Sequence, residues 1–434
     1  MRELDITADD LVSRLIDLPA DETVCILDSG GTEHPGSHLL IAGIRPNEVR
    51  EVSFEDPSAS LELFDDKLSA GQHAAIFTLS YDFGTKLHSI GALRDASEPD
   101  LFMALFDCLV VHDYSANRTF LTGNSDRFAV IEQLIKNAAG IVPVPENTAA
   151  KASSNFTRAE YLAAVENVKV RIRAGDTYQT NITQQIRFSL SPGETPGTIF
   201  SALRRQHPAP FGSYIRRLDS TVVSASPERF FKVTDMSITA SPIKGTRRRG
   251  ETSAEDSDLR NELLASDKDR AENTMIVDLT RNDLGRICEF GSVRVERLCE
   301  IEEHPTLFHL VSTVTGKLRA GLKYSSIIRA LFPCGSITGA PKLSTMKIIA
   351  QLEPSPRGLS MGSIGVSIPS GFPGLAPTFE MNVAIRTIVI RGGEAVFNVG
   401  GGIVIDSDPQ SEYEESLLKA QALLAAAGVK LVGN

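Results

Sequence analysis

Residues 213–242, SYIRRLDSTVVSASPERFFKVTDMSITASP, decide the fold class of this chain. Short runs rich in Val, Ile, Thr, Tyr and Phe alternate there with turn residues, which is typical of antiparallel strands joined by hairpins. The segment SDLRNELLASDKDRAENTMIVDLTRNDLGRI, residues 257–287, follows closely and has the composition and apolar spacing of long helices. Antiparallel strands beside long helices predict an α+β fold.

The organisation of the chain predicts two domains. Residues 1–150 mix short strand-like runs with one helix-like segment. The polar stretch PVPENTAAKASSNFTRAE, residues 143–160, is interpreted as a linker that ends in a helix start, with Thr157 as the N-cap and Glu160 as its capping-box partner. The boundary is therefore placed near residue 150, between an N-terminal, strand-rich mixed region and a C-terminal domain at 151–434.

Composition and charge describe an ordinary globular chain and exclude several classes of partner. The 434 residues are 42% hydrophobic and 23% charged, with a net charge of -11, and the basic residues are dispersed apart from RRR at 247–249. A nucleic-acid footprint is therefore not indicated. The start, MRELDITADD, is unlike a secretory signal, and no apolar run is long enough to cross a bilayer, so no membrane partner is expected. Five cysteines without a C-x-x-C pair argue against a disulfide framework or a zinc site and favour a reduced, cytoplasmic setting.

Two predicted helices each carry a pair of acidic residues three positions apart. Asp269 and Glu272 share a face of one helix, and Glu412 and Glu415 share a face of the other. A solvated helix surface is one interpretation of each pair. The second pair, however, follows NVGGGIVIDSD, residues 398–408, whose glycines let a ligand approach the backbone. Two facing pairs of carboxylates would hold Mg²⁺, with a ligand anion completing its shell.

The stretch ASPIKGTRRRG, residues 240–250, places Lys244 between a predicted strand end and a Gly-Thr turn. Ordinary surface charge is one interpretation. The other is an amine held against a ligand that the backbone N–H groups of the turn bind. The loop FPCGSITGAPK, residues 332–342, lacks the spacing of a phosphate-binding loop and is interpreted as a structural loop.

Eight motifs occur in the order seen in the chorismate-utilising enzymes, and the chain resembles that family. They are GDTYQTNITQQIRF, SASPERFF, PIKGTRRRG, KDRAENTMIVDLTRNDLGRI, HLVSTVTGKL, LFPCGSITGAPK, MGSIG and GGGIVIDSDPQSEYEESLLKAQ. The resemblance extends from about residue 155 to the C-terminus, which makes 151–434 the chorismate-binding catalytic domain, and the N-terminal region is similar more weakly, through ILDSGG and LSYDFG. It implies large antiparallel sheets in a layered α/β sandwich with helices outside, as in anthranilate synthase component I.

Two positions separate the branches of this family. Anthranilate synthases typically have alanine before the GT turn, whereas aminodeoxychorismate synthases have lysine, as this chain does at Lys244. Water-adding isochorismate-type enzymes carry a lysine where this chain has Gln179. The resemblance therefore implies Mg²⁺-dependent amination of chorismate at C4 to 4-amino-4-deoxychorismate, on the way to 4-aminobenzoate and folate. The alternatives are anthranilate synthesis, with amination at C2 and loss of pyruvate, and a non-catalytic chorismate-binding protein.

The resemblance also implies chemical roles for two residues. Lys244 attacks C2 of chorismate as the 4-hydroxyl departs, and ammonia then enters at C4 and expels the lysine. The alternative for Lys244 is a charge that pairs with a substrate carboxylate or selects the product. Glu228, in SPERFF, matches the general acid/base of the family.

The expected binding residues fall into a metal group and a substrate group. The implied Mg²⁺ ligands are Glu272 and Glu415 directly, and Asp269 and Glu412 directly or through water. The expected substrate contacts are Gln179, Gly245, Thr246, His309, Arg386, Gly402 and Lys419. For His309, a hydrogen-bonded position in the core is the alternative.

The resemblance also determines the expected partners. The chain has no nucleophile elbow and no Gly-x-Cys-x-Gly turn of the kind that glutamine-hydrolysing domains use. Chorismate and ammonia are therefore the expected substrates, and a separate glutamine amidotransferase subunit is the expected source of ammonia. The ILDSGG stretch lies where relatives bind tryptophan, but it departs from the inhibitor-binding pattern, so regulation by tryptophan is not predicted.

Overall fold

The computed structural model describes residues 1–32, 38–91, 94–95, 97–140, 151–303 and 307–431. Within these ranges the chain forms 23 β-strands and 11 α-helices. The helices are α1 (Ala8–Ile16), α2 (Pro57–Ser69), α3 (Tyr81–Leu87), α4 (Phe128–Asn137), α5 (Arg158–Arg173), α6 (Pro196–Gln206), α7 (Ser253–Ala265), α8 (Asp267–Gly285), α9 (Tyr324–Leu331), α10 (Lys342–Leu352) and α11 (Pro409–Ala426). The strands are β1 (Arg2–Leu4), β2 (Val24–Asp28), β3 (Leu39–Ile44), β4 (Glu48–Val52), β5 (Ala74–Leu79), β6 (Leu101–Phe106), β7 (Cys108–Asp113), β8 (Arg118–Gly123), β9 (Lys151–Ser154), β10 (Gln179–Ser189), β11 (Phe211–Arg216), β12 (Ser220–Ser226), β13 (Arg229–Thr234), β14 (Ser237–Ala240), β15 (Ile243–Arg248), β16 (Arg294–Glu303), β17 (Leu307–Lys317), β18 (Gly339–Ala340), β19 (Ser363–Ile368), β20 (Thr378–Asn382), β21 (Thr387–Arg391), β22 (Glu394–Ile403) and β23 (Lys430–Leu431).

These strands form two large sheets. The first sheet has 13 strands in the order β1-β8-β7-β3-β2-β11-β12-β21-β22-β10-β9-β23, and β18 also pairs with β10. The second sheet has 10 strands in the order β15-β17-β14-β13-β20-β19-β5-β6-β4, and β16 also pairs with β17. Pairing between the described strands is antiparallel except between β9 and β23, which are parallel. The predicted antiparallel α+β architecture is therefore confirmed.

The two sheets pack face to face, and helices cover their outer faces. Val111 and Val222 of the first sheet share one buried cluster with Ile76 and Ile364 of the second. Apolar side chains of α1, α4, α6 and α11 pack on the first sheet, and those of α2, α8 and α9 pack on the second. This is the expected layered sandwich with helices outside. None of the described helices is both long and apolar enough to cross a membrane.

The sequences of two strands in the second sheet indicate that both faces of that sheet are covered. In β5 (AAIFTL) and β6 (LFMALF) every residue is buried. Such continuous apolar runs are expected where one face packs on a second sheet and the other on helices. By contrast, β16 (RVERLCEIEE) lies at the edge and is largely exposed, and its charges discourage pairing with another chain.

The predicted boundary near residue 150 does not separate two sheets. β2 of the N-terminal region pairs with β11, and β5 pairs with β19. Residues 143–150 of the predicted linker lie outside the described residues. The predicted capping box is present, because the Thr157 hydroxyl accepts the Glu160 N–H while the Glu160 carboxylate accepts the Thr157 N–H. Both regions contribute to each sheet, and the division into two domains stays a prediction.

A cavity of about 410 Å³ lies between the sheets beside the ILDSGG stretch. Asp28, Ser29, Lys232 and Glu380 are among the residues that line it. None of the predicted substrate, metal or catalytic residues lines this cavity. It is therefore distinct from the site built around Lys244.

Candidate active site

The fold brings two acidic helices together from opposite sheets. α8 packs against β15, β16 and β17 of the second sheet, and α11 packs against β22 of the first. α8 carries Asp269 and Glu272, and α11 carries Glu412 and Glu415. These four residues are called the acid cluster below. Burial raises the pKa of Glu272, the neighbouring charges of Asp269 and Glu412 raise it further, and positive charges nearby oppose them.

The two acids on α11 are paired with lysines. Glu412 is buried, accepts a hydrogen bond from the Ser407 hydroxyl at 2.7 Å and lies 3.7 Å from the Lys268 ammonium. Glu415 lies 2.8 Å from the Lys419 ammonium one turn along the same helix. Burial would raise the pKa of Glu415, but the charge and hydrogen bond of Lys419 outweigh this effect and lower it.

The two acids on α8 differ from each other. Asp269 pairs with Arg247, with 3.2 Å between the guanidinium and the carboxylate. Glu272 has no ion pair within the ranges that the structure describes. The positive charges of Lys244 and Lys268 nonetheless act on Glu272, and they partly offset the rise in its pKa that burial causes. Glu272 is therefore the acid in this cluster that lacks a paired cation.

The donor chemistry of the acid cluster fits a hard divalent cation, because carboxylate oxygens are the ligands that Mg²⁺ takes from proteins. In the described part of the chain, no group of three or more His, Cys, Asp or Glu side chains is arranged to hold a metal ion. Asp269, Glu412 and Glu415 each face a cation of the chain instead. Metal binding would require these carboxylates to exchange their partners.

Lys244 and Glu228 both contact Ser336, and the charge of Lys244 acts on Glu228 and on Glu272 of the acid cluster. The Lys244 ammonium donates to the backbone carbonyl of Ser336 at 3.4 Å. Glu228 is buried, and its Oε1 has no hydrogen-bond partner among the described residues. Burial raises the pKa of Glu228 to about 7, although contacts with Ser336 and Ile243 and the charge of Lys244 lower it. A carboxyl group that titrates near neutrality can both donate and accept a proton, as a general acid/base requires.

The raised pKa of Glu228 predicts a pH-dependent effect of Glu228→Gln on stability. The folded protein holds this proton more tightly than the unfolded chain, because the pKa of Glu228 is about 7 in the folded protein and about 4.5 in the unfolded chain. The protonated group therefore stabilises the fold fully below pH 4.5, and this contribution is lost as the pH rises through about 7. At pH 8.5 the wild type must bury a carboxylate, and the glutamine variant should be more stable by on the order of 3 kcal/mol.

Chemical denaturation of substrate-free protein at pH 5.5 and 8.5 measures this difference. The gain should shrink strongly at the lower pH. Glu414→Gln, at an exposed position on α11, is the control and should show no such change. A stability difference that is the same at both pH values would contradict the assignment.

The Gly-Thr turn after Lys244 packs closely on its surroundings. Gly245 has a φ of +85°, and a Cβ there would lie 2.9 Å from both Asp269 Cγ and Leu263 Cδ1. Glycine is therefore required both for conformation and for space. Thr246 Oγ1 and His309 Nδ1 are 2.9 Å apart, and His309 is buried. This is the hydrogen-bonded core position given as the alternative for His309, and its contact with substrate stays a prediction.

Gln179 and Gly402 lie where β10 pairs with β22, and Lys419 reaches this pairing from α11. Gln179 is buried, and its Nε2 lies 1.8 Å from the position that a Cβ of residue 402 would occupy, so the glycine makes room for the amide. Gln179 Oε1 is buried and has no hydrogen-bond partner in the described residues. The Lys419 ammonium donates to the Gly400 carbonyl at 3.0 Å. These contacts place a polar amide and a cation beside the acid cluster.

Arg386 has a positive φ of 49°, and burial lowers the pKa of its guanidinium. Its backbone carbonyl accepts a hydrogen bond from the Ala225 N–H at 3.0 Å. In the described ranges, the Arg386 side chain forms no ion pair and no hydrogen bond with any residue, including those of the acid cluster. A half-buried arginine without a counter-ion suits an anionic ligand such as a carboxylate. The role of Arg386 as a substrate anchor stays a prediction.

Two residues of this site, Ser336 and Lys268, are not among those that the sequence predicts. The loop 332–342 was interpreted as structural, yet its Ser336 carbonyl contacts Lys244 across 92 positions of sequence. No local pattern signals that contact. Lys268, which lies opposite Glu412, does have a signal, because it stands in the first turn of α8, where the helix dipole disfavours cations.

Known proteins are similar to this chain over most of its length. The chain is 38% identical to aminodeoxychorismate synthase component 1 of Bacillus subtilis over 369 residues, which cover 82% of this chain and 77% of that protein. It is 33% identical to the Escherichia coli protein of the same name, over 95% of this chain and 94% of that one. It is also 43% identical to anthranilate synthase component 1 of Haloarcula marismortui, over 81% of this chain and 75% of that protein. Overall identity therefore does not separate the two aminating branches.

Solved structures show the same architecture. Anthranilate synthase component I from Streptococcus pneumoniae superposes with a TM-score of 0.75 at 25% identity, covering 90% of this chain and 93% of that chain. The menaquinone-specific isochorismate synthase of Escherichia coli also gives 0.75, at 17% identity, covering 98% and 94%, which shows the fold alone. The model of the family described as chorismate binding enzyme matches residues 24–425. With that match and relatives above 30% identity over most of its length, the chain is a chorismate-utilising enzyme and belongs to the chorismate-binding enzyme family.

Proposed function

We propose that this chain aminates chorismate at C4 with ammonia, giving 4-amino-4-deoxychorismate and water, for 4-aminobenzoate and folate synthesis. The observation that carries the proposal is Lys244, an amine at the Gly-Thr turn beside the buried carboxyl of Glu228. A nucleophilic amine and an acid/base that titrates near pH 7 are the two groups that displacement of an allylic hydroxyl needs.

In the proposed reaction, Lys244 first releases its ammonium proton to solvent, and the resulting amine forms a bond to C2 while the ring double bonds shift and the C4–O bond breaks. Glu228 gives its proton to the departing hydroxyl, which leaves as water. Ammonia then bonds to C4, the double bonds shift back, and Lys244 leaves C2 as a neutral amine. The Glu228 carboxylate takes a proton from the new ammonium group, and Lys244 takes a proton back from solvent, which restores the starting state of the enzyme.

The residues around the substrate would neutralise its two carboxylates. Mg²⁺, when bound, would neutralise one substrate carboxylate, and the residues that would hold it are Glu272 and Glu415, supported by Asp269 and Glu412. Arg386 would pair with the other carboxylate, because it is half-buried and its guanidinium has no counter-ion in the described residues. We expect Gln179, Gly402 and Lys419 to contact the substrate, together with Gly245, Thr246 and His309 on β15 and β17.

Anthranilate synthesis is the second candidate, favoured by the 43% identity to the Haloarcula marismortui protein. Lys244 argues against it, because the resemblance associates alanine at this position with amination at C2. A non-catalytic role is disfavoured by the retention of Glu228, Lys244, Glu272 and Glu415. Incubation with chorismate, Mg²⁺ and ammonium at mildly alkaline pH, with products read by mass and fluorescence, decides among the three. Fluorescent anthranilate as the main product would overturn the proposal.

The purified chain is expected to use ammonia and not glutamine. The four cysteines at 25, 108, 288 and 299 are buried, and burial raises the pKa of the Cys334 thiol to about 12, so a ready thiolate is not available for attack on glutamine. We propose that a separate glutamine amidotransferase subunit supplies ammonia and that the complex works in the cytoplasm, where free thiols persist. Aminated product from glutamine alone, with free ammonia removed, would contradict this.

A further inference from the structure

The acid cluster is balanced by cations that belong to the chain itself. The pairs are Asp269 with Arg247 at 3.2 Å, Glu412 with Lys268 at 3.7 Å and Glu415 with Lys419 at 2.8 Å. Among these three paired cations, Lys268 has the widest reach, because its charge also acts on Glu272 and Glu415; Lys244, which has no ion pair in the described residues, acts on the same two carboxylates. Lys268 stands on α8 and faces Glu412 on α11, so it joins the two acidic helices.

Of the three cations, Lys268 also makes the weakest contacts with the rest of the protein. Arg247 is tied to Glu262 at 2.8 Å as well as to Asp269, and Lys419 donates to a backbone carbonyl at 3.0 Å. Lys268 has a longer ion pair, and 55% of its side chain is exposed. A lysine side chain is flexible and strongly hydrated, so it can swing into water at little cost.

A positive charge at the position of Lys268 does not stabilise helix α8. It lies in the first turn of α8, where Asp267 and Asp269 suit the positive end of the helix dipole and a lysine does not. Within the described residues, the negative charges that compensate Lys268 are those of the acid cluster. Its charge there acts on the carboxylates expected to bind Mg²⁺.

We infer that Lys268 is a displaceable counter-ion, which holds the acid pairs of α8 and α11 together before the divalent cation binds and leaves when the cation enters. The inference rests on the proposed metal role of the acid cluster. An ammonium group and a divalent cation a few ångströms apart repel each other, so the two cannot occupy the cluster together without cost. Lys268 therefore sets the affinity for the metal by competing with it.

The test is calorimetric titration of the full-length, metal-free protein with MgCl₂, without chorismate. Lys268→Gln should bind Mg²⁺ about tenfold more tightly than the wild type, because the competing charge is gone. Lys268→Arg keeps the charge and should not gain affinity. Lys347→Gln, at an exposed position on α10, is the matched control and should match the wild type. In EDTA, Lys268→Gln should melt about 1–2 °C below the wild type, since the acids then repel without a counter-ion.

The outcomes distinguish this inference from the metal assignment beneath it. If wild type and Lys268→Gln bind Mg²⁺ with the same Kd, or the variant binds more weakly, Lys268 is not a competitor although the metal site stands. If neither protein binds Mg²⁺, the metal assignment falls and the competition with it. An unchanged melting temperature in EDTA would overturn the counter-ion role before metal binding.

Discussion

Glu272→Gln or Glu415→Gln is expected to lower Mg²⁺-dependent amination by a factor on the order of 10³ while the protein stays folded. Each change keeps the shape of the side chain and removes one negative charge from the acid cluster. The fold should tolerate both, because Glu272 has no ion pair in the described residues and 51% of the Glu415 side chain is exposed. The initial rate of chorismate consumption at saturating ammonium, measured across a MgCl₂ titration, reports the effect.

Two isosteric variants on the same helices serve as controls. Asp278→Asn on α8 and Glu414→Gln on α11 each remove one charge from an exposed face. Both should keep the wild-type rate and Mg²⁺ dependence, which excludes a general effect of net charge or helix stability. A near-normal rate at limiting Mg²⁺ in Glu272→Gln or Glu415→Gln would refute the metal assignment.

The parts of the fold that are predictable from sequence depend on local patterns. Turn residues between β-branched runs predict the antiparallel strands of 213–242, and the structure has β11 to β14 there. The capping box at Thr157 follows from two side chains three positions apart. The acid pairs follow from helical spacing, which puts residues three positions apart on one face.

The arrangement that depends on distant contacts is not predictable in this way. Both sheets combine strands from either side of residue 150, and strand order across such distances has no local signature. The contact between Lys244 and the Ser336 carbonyl joins a strand to a loop far along the chain. Ion pairs such as Lys268 with Glu412 depend on how α8 and α11 meet, which packing of two sheets determines.

Lys244→Ala should lose 4-amination by at least about a thousandfold, because the variant has no amine to form the adduct at C2. The vacated position then resembles that of the alanine-bearing anthranilate synthases, so residual ammonia chemistry is expected to shift towards C2 and yield some anthranilate. Product analysis by mass and fluorescence, at saturating ammonium and Mg²⁺, measures both effects. Loss of all turnover without any anthranilate would leave the nucleophile assignment intact but contradict the predicted change of product.

Lys244→Arg separates a nucleophile from a fixed charge. Arginine keeps the positive charge and can pair with a carboxylate, but it stays protonated in proteins and cannot readily attack carbon. The variant should therefore be nearly as inactive as Lys244→Ala, whereas Lys347→Arg should be unaffected. Wild-type protein incubated with chorismate and Mg²⁺ without ammonia should carry, on the peptide containing Lys244, the mass of chorismate less one water. If Lys244→Arg makes 4-amino-4-deoxychorismate at close to the wild-type rate, the covalent role is excluded, and Lys244 acts through its charge alone.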